Sequence, residues 1–183
     1  MDETSENLSE NIIERETALA NFDHARNDFT RAFAQVPDKA ITWKPEGDDY
    51  TIGDLIPHVI GSINMYTVIL DTMAGLGWGP TRPFEGAPHQ LMEDNVARIK
   101  AIYAEGEGRD AVIHELEEAH DALATRLREM AYKEYSQKAP VLYPPAEEPF
   151  PTSAADILGW LTDHYNEHIA QIWQMLEAWE RIK

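Results

Sequence analysis

SAADILGWLTDHYNEHIAQIWQMLEAW, residues 153–179, carries one apolar stripe at helical spacing. Ser153 with Asp156 three residues on is a capping box, and Pro151 precedes it. At about 1.5 Å per residue the helix that follows is roughly 40 Å long. Its stripe reads Ile157, Leu161, His164, His168, Ile172, Met175, Trp179. Two imidazoles stand in consecutive places where a helical core wants Leu or Ile. Positions i and i+4 differ by about 40° around the axis and by roughly 6 Å along it, so both rings can point at one spot. An unpartnered buried polar group costs on the order of 1–3 kcal/mol, and two adjacent ones call for partners. Those partners are either carboxylates, which make the pair ordinary core histidines, or a metal ion. The H-E-x-x-H metalloprotease pattern is absent, because Tyr165 follows His164.

Working outward, three more long segments have helical periodicity, and Gly- or Pro-rich stretches separate them. From about Ser9 to Gln35, Ala18, Phe22, Ala25, Phe29, Ala32 and Val36 form a continuous stripe that Pro37 ends. A second helix starts near Thr51, where Thr51-Ile-Gly-Asp54 reads as a capping box; Ile52, Leu55, Val59, Ile63, Tyr66, Ile69 and Met73 continue it. AGLGWGPTRPFEGAP (74–88) breaks the pattern. A shorter helix is expected at 89–104. A third long helix runs from Ala111 to about Tyr132 on Val112, Leu116, Ala119, Leu123, Leu127 and Met130. The segment 135–152 holds five Pro and is not helical throughout. No stretch alternates long enough to make a strand. The expected class is all-α: a single four-helix-bundle domain over 1–183, with residues 1–8 flexible. The connection of about 35 residues between the second and third long helices is too long for a hairpin. A crossover of that length lets neighbouring helices run parallel.

The composition narrows the chemistry. With 183 residues, 43% hydrophobic and 26% charged, the chain can bury a sizeable core. It has no cysteine, which excludes disulfides, thiolate metal sites and a cysteine nucleophile. A net charge of -18 repels nucleic-acid phosphates and anionic membranes alike. No apolar run approaches the roughly 18 residues of a membrane span. The acidic start MDETSENLSE does not read as a signal peptide, so a cytoplasmic protein is expected.

A third histidine, His58 in LIPHVIGS, lies at the edge of the second helix's stripe. Three neutral imidazoles with one open position make a catalytic-type zinc site. Asp54, one turn before His58, either orients that ring or only caps the helix. His24 and His114 fall off the core stripes, His89 lies in or beside a loop, and His120 sits at the edge of its helix's stripe, within reach of a fourth-ligand role.

The run W43-K-P-E-G-D-D-Y-T-I-G-D-L-I-P-H58 and the downstream D-H164-Y-N-E-H168-I-A-Q171 resemble the DinB/YfiT-like superfamily. The resemblance rests on a Trp-x-Pro stretch before the second helix, a histidine on it, and H-x-x-x-H followed shortly by Gln. It implies a four-helix bundle with a long crossover and a metal held by His58, His164 and His168. Some relatives are thiol-dependent transferases or isomerases. The implied cofactors are one divalent ion, zinc first with nickel, iron or copper as alternatives, and an external low-molecular-weight thiol.

Two classes of function follow. One is a metal-dependent enzyme, a transferase or hydrolase acting on a small molecule. Its entrance would lie at the loop 37–50, where Trp43 and Tyr50 form a rim or else simply seal the end. The other is a binding or sensing module in which the metal is structural. A di-iron carboxylate bundle needs two Glu-x-x-His pairs, and only Glu117-x-x-His120 is present. A second apolar row on the last helix, Tyr165, Ile169, Trp173 and Leu176, is either consumed inside the bundle or offers in part a homodimer face.

Overall fold

The computed structural model describes residues 3–48, 50–81, 97, 98, 101, 108–143 and 146–182. The helix expected at 89–104, apart from three positions, lies outside the described residues, as do His89 and the second half of the 74–88 break. Helix α1 spans Glu3–Ala34 and α2 is a single turn, Asp38–Ile41; α3 spans Leu55–Gly75 and α4 Gly108–Glu129. A short α5, Tyr132–Ser136, precedes the strands β1 (Ala139–Val141) and β2 (Phe150–Thr152), and α6 spans Ala154–Glu180.

The helix ends follow local chemistry. The last carbonyls of α1 have no intrahelical partner, and Arg109 at the start of α4 supplies them. Its guanidinium donates to the carbonyls of Phe33 (3.2 Å), Ala34 (3.0 Å) and Val36 (2.6 Å), placing a cation at the negative end of α1. Both expected capping boxes form. Thr51 Oγ1 accepts the Asp54 N–H at 3.2 Å and Asp54 Oδ2 accepts the Thr51 N–H at 3.1 Å. Ser153 and Asp156 do the same at 3.1 and 2.8 Å. At the end of α3 the Trp78 N–H reaches the Met73 carbonyl (2.8 Å) and the Gly77 N–H that of Ala74 (3.0 Å). Gly77 takes the left-handed conformation (φ 60°) that this cap requires.

Gly53, in the 3-10 turn Ile52–Asp54 that leads into α3, is needed for a different reason. A Cβ there would lie 2.7 Å from Ile41 Cγ2 and 3.0 Å from the Ile41 carbonyl oxygen, so α2 would have to move. Gly53→Ala is expected to destabilise by about 1–3 kcal/mol through overpacking. Urea unfolding measures it; a midpoint equal to wild type would show that α2 is not fixed against this turn.

α1 packs on α6 and α4, and α3 packs on α4 and α6. Arg15, early in α1, donates to the Met130 carbonyl just after α4 (2.7 Å), while Arg109 at the start of α4 holds the end of α1; these two helices therefore run oppositely. Tyr66 meets Trp160 and His58 meets His168, so α3 and α6 also run oppositely. Arg126 reaches Asp71 at 3.3 Å, late in both α4 and α3. The described residues are mostly helical, but they include a small antiparallel ribbon, with Ala139 opposite Thr152 and Val141 opposite Phe150. Pro140 faces Pro151 at its centre, where neither residue has an N–H to offer. Strands of three residues are too short to show alternation in a sequence.

The core departs from expectation at His120 and resolves the open reading of Tyr165. His120, expected at the edge of its stripe, is fully buried. It stacks on Phe22 (centroids 4.0 Å) and lies 2.9 Å from Asp23 Oδ1 and 3.3 Å from the Tyr165 hydroxyl. Tyr165, on the row that is either consumed inside the bundle or offered to a dimer, is also fully buried, whereas Trp173 of the same row is 43% exposed. A phenol and an imidazole that satisfy each other can be buried together at little cost, which hydrophobic periodicity does not register.

Candidate metal centre

The antiparallel pairing of α3 with α6 brings His58, His164 and His168 together. One ring nitrogen from each lies within 4.8 Å of the others, and this is the only such cluster of three or more His, Asp or Glu among the described residues. The ring centroids are 5.0 Å apart for His58–His164, 4.9 Å for His58–His168 and 4.4 Å for His164–His168. His168 is buried and the other two are half-buried.

Among the described residues, the hydrogen-bond partners of these rings are a hydroxyl and an amide, not carboxylates. His168 Nδ1 lies 2.8 Å from Gln171 Oε1. The other end of that amide points at Asp48, with Nε2 3.4 Å from each carboxylate oxygen. A carboxylate only accepts, so the amide oxygen faces the imidazole and Nδ1 carries the proton. The Nε2 lone pair of His168 is left free, and that atom is buried with no hydrogen-bond partner among the described residues. Ser62 Oγ sits 3.1 Å from His164 Nε2 and donates to the His58 carbonyl at 3.0 Å. The Tyr50 ring packs on His58 at 4.9 Å, and the Tyr50 N–H donates to Asp48 at 3.2 Å. The loop before α3 thus touches His58 directly and reaches His168 only through Gln171. Trp43 is half-buried against the core.

Burial keeps all three rings neutral. Desolvation, with His168 nearby, lowers the His58 pKa from 6.5 to about 4. Desolvation and the two neighbouring imidazoles lower His164 to about 3. Desolvation also lowers His168, against the opposing pull of Gln171 and Glu167. Neutral imidazole is the form that ligates metal. In the unfolded chain these rings protonate near pH 6.5, whereas folded they resist it. The unfolded state therefore binds more protons below that pH, and stability falls as pH falls. Metal-stripped protein is expected to keep full stability above about pH 6.5 and lose it progressively toward about pH 4. Urea midpoints across that range measure the effect, and midpoints independent of pH there would show that the rings are not desolvated.

Asp54 completes the capping box of the 3-10 turn that leads into α3, through its hydrogen bond to Thr51. His24 and His114 lie on the surface, beside Asp28 and Glu118, both at 3.3 Å. His120 stays apart from the cluster, neutralised by burial and held by Asp23, so it takes no fourth-ligand role. Ser62 and Asp48 were missed by sequence reasoning. Neither has a sequence signal, because each matters only through its distance from a residue far along the chain. Gln171 stood in the motif with no role attached.

A family model described as the DinB superfamily matches residues 21–172. No curated protein matches the sequence. Among solved structures, the crystal structure of the mycothiol-dependent maleylpyruvate isomerase is similar, with a TM-score of 0.64 and 15% identity. The likeness covers 86% of this chain and 60% of that one, so this chain spans less than two thirds of that chain's length. At that identity it speaks for the fold.

Proposed function

The chain belongs to the DinB superfamily, and from that premise we propose that it binds one divalent metal ion, zinc in the first place, through His58, His164 and His168 and works as a metal-dependent enzyme on a small molecule. The observation that carries this reading is the buried His168 Nε2, which has no hydrogen-bond partner among the described residues and stands among two other neutral imidazoles. An orphaned lone pair at that depth costs about 1–3 kcal/mol unless something fills it. Three imidazoles suit a borderline cation, and three protein donors leave a position open, which favours catalysis over a closed structural site. When bound, such an ion supplies Lewis acidity that acidifies an external thiol or a water at neutral pH. Gln171 holds the ring of His168 and its tautomer, tied in turn to Asp48; Ser62 steadies His164; Tyr50 shields His58. With no cysteine in the chain, a thiol substrate has to come from outside. The similar structure is of a mycothiol-dependent isomerase, which supports a thiol-dependent reaction here.

The helices support a four-helix bundle with a crossover. α1 opposes α4 and α3 opposes α6, while Arg126 and Asp71 join the late parts of α4 and α3. Parallel neighbours need a returning connection, here 74–108, whose middle lies outside the described residues. No described helix is long and apolar enough to cross a membrane. Metal-loaded protein assayed for thiol transfer or isomerisation across common low-molecular-weight thiols tests the enzyme reading. Turnover lost on chelation and restored by zinc is the expected outcome; thiol turnover indifferent to chelation would defeat it.

A further inference from the structure

The register that joins α3 to α6 does not stop at the histidines. One turn after Ser62 on α3 stands Tyr66, and one turn before His164 on α6 stands Trp160; their rings lie 5.9 Å apart. Trp160 is the hub of a cluster, 6.2 Å from Tyr143 and 6.0 Å from Phe150 of the ribbon, with the rings inclined by 49° to 79°. Tyr66, Trp160 and Tyr143 are half-buried, and Phe150 is 54% exposed. A cluster serving only to pack the ribbon onto α6 would bury Phe150. Here an apolar aromatic surface begins about 6 Å, one helical turn, from His164 and on the same face. Neither Leu55–Gly75 nor Ala154–Glu180 contains a single Lys or Arg, while Asp156, Asp163 and Glu167 lie on α6. These two helices therefore bring no cation of their own to a carboxylate or phosphate, and the described Lys138 beside the ribbon is already paired with Asp156 at 3.6 Å.

We propose that Tyr66, Trp160, Tyr143 and Phe150 form a subsite for the uncharged aromatic, or similarly flat apolar, part of a small molecule whose other end reaches the three-histidine centre. The inference rests on the metal reading and adds the substrate class: a body without anionic groups, joined to the head by a linker of two or three atoms.

The test uses zinc-loaded protein and three hydroxamates: acetohydroxamate, 3-phenylpropanohydroxamate, and the latter with a para-carboxylate. By calorimetry the phenyl probe is expected to bind about tenfold or more tighter than the head alone, as burial of a ring implies. The para-carboxylate is expected to cancel most of that gain. Trp160→Ala should erase the gain while acetohydroxamate binding stays within about twofold, and Phe150→Ala, at a 54% exposed ring, should reduce it. Equal affinity for the head and the phenyl probe overturns the subsite, as does a Trp160→Ala variant that takes up zinc yet keeps the gain. If wild-type protein takes up no zinc, the metal reading falls and the subsite with it; zinc uptake with probes that bind alike sinks the subsite alone.

Discussion

Metal-stripped protein titrated with zinc is expected to gain about 3–4 kcal/mol of stability at 100 to 1,000 times the dissociation constant, and His168→Leu to abolish that gain without weakening the stripped chain. For a chain of this size the gain corresponds to roughly 6–16 °C in Tm. The direction for the variant follows from the orphaned atom. A catalytic-type site keeps a buried lone pair waiting for its ion, and the empty fold carries that cost. Leucine fills much of the same volume, needs no partner, and removes the free Nε2. Gln171 loses its imidazole but is half-buried and keeps Asp48. A structural core histidine would behave in the opposite way, with zinc having no effect on wild type and Leu costing stability. Differential scanning fluorimetry with and without zinc, alongside elemental analysis for one ion per chain, separates the two. A zinc-induced rise in His168→Leu equal to that of wild type would place the ion elsewhere.

Phe22→Ala is expected to produce the largest loss of stability, about 3–5 kcal/mol, which is roughly 6–20 °C in Tm for a chain of this size. Phe22 is fully buried on α1. It stacks on His120 of α4 at 4.0 Å and meets Tyr165 of α6 at 5.6 Å. Its removal opens a cavity between three helices and strips one face from a buried imidazole held by Asp23 and the Tyr165 hydroxyl. Trp173→Ala, at a 43% exposed ring, is expected to fall within about 0.5 kcal/mol of wild type. Guanidinium unfolding of the pair makes the comparison. A Phe22→Ala loss no larger than that of Trp173→Ala would mean that the α1–α4–α6 junction is not the centre of the core. Zinc affinity in Phe22→Ala should be little changed, because Phe22 touches none of the three clustered histidines.

The sequence by itself determined what is local. Helix starts at Thr51 and Ser153 were legible because a capping box is complete within four residues, and both form as read. The stripes of α1, α3 and α6 were legible because burial repeats with the helical period. His164 and His168 were legible as a pair because helical geometry alone puts i and i+4 on one face. His58 needed the resemblance, since periodicity only brought it near the core. The tertiary structure decided what depends on two distant segments meeting. It turned His120 and Tyr165 inward because each satisfies the other across helices, with Asp23 supplied by a third. It paired 139–141 with 150–152, strands too short to declare themselves. It also assigned Gln171, Ser62 and Asp48 their places around the histidines, through hydrogen bonds that span up to 123 positions of chain in the case of Asp48 and Gln171. Periodicity reports how apolar each face of a helix is. It does not report which polar groups on different helices will find one another, and both the buried His120–Tyr165 pair and the support of the three-histidine centre are built from such encounters.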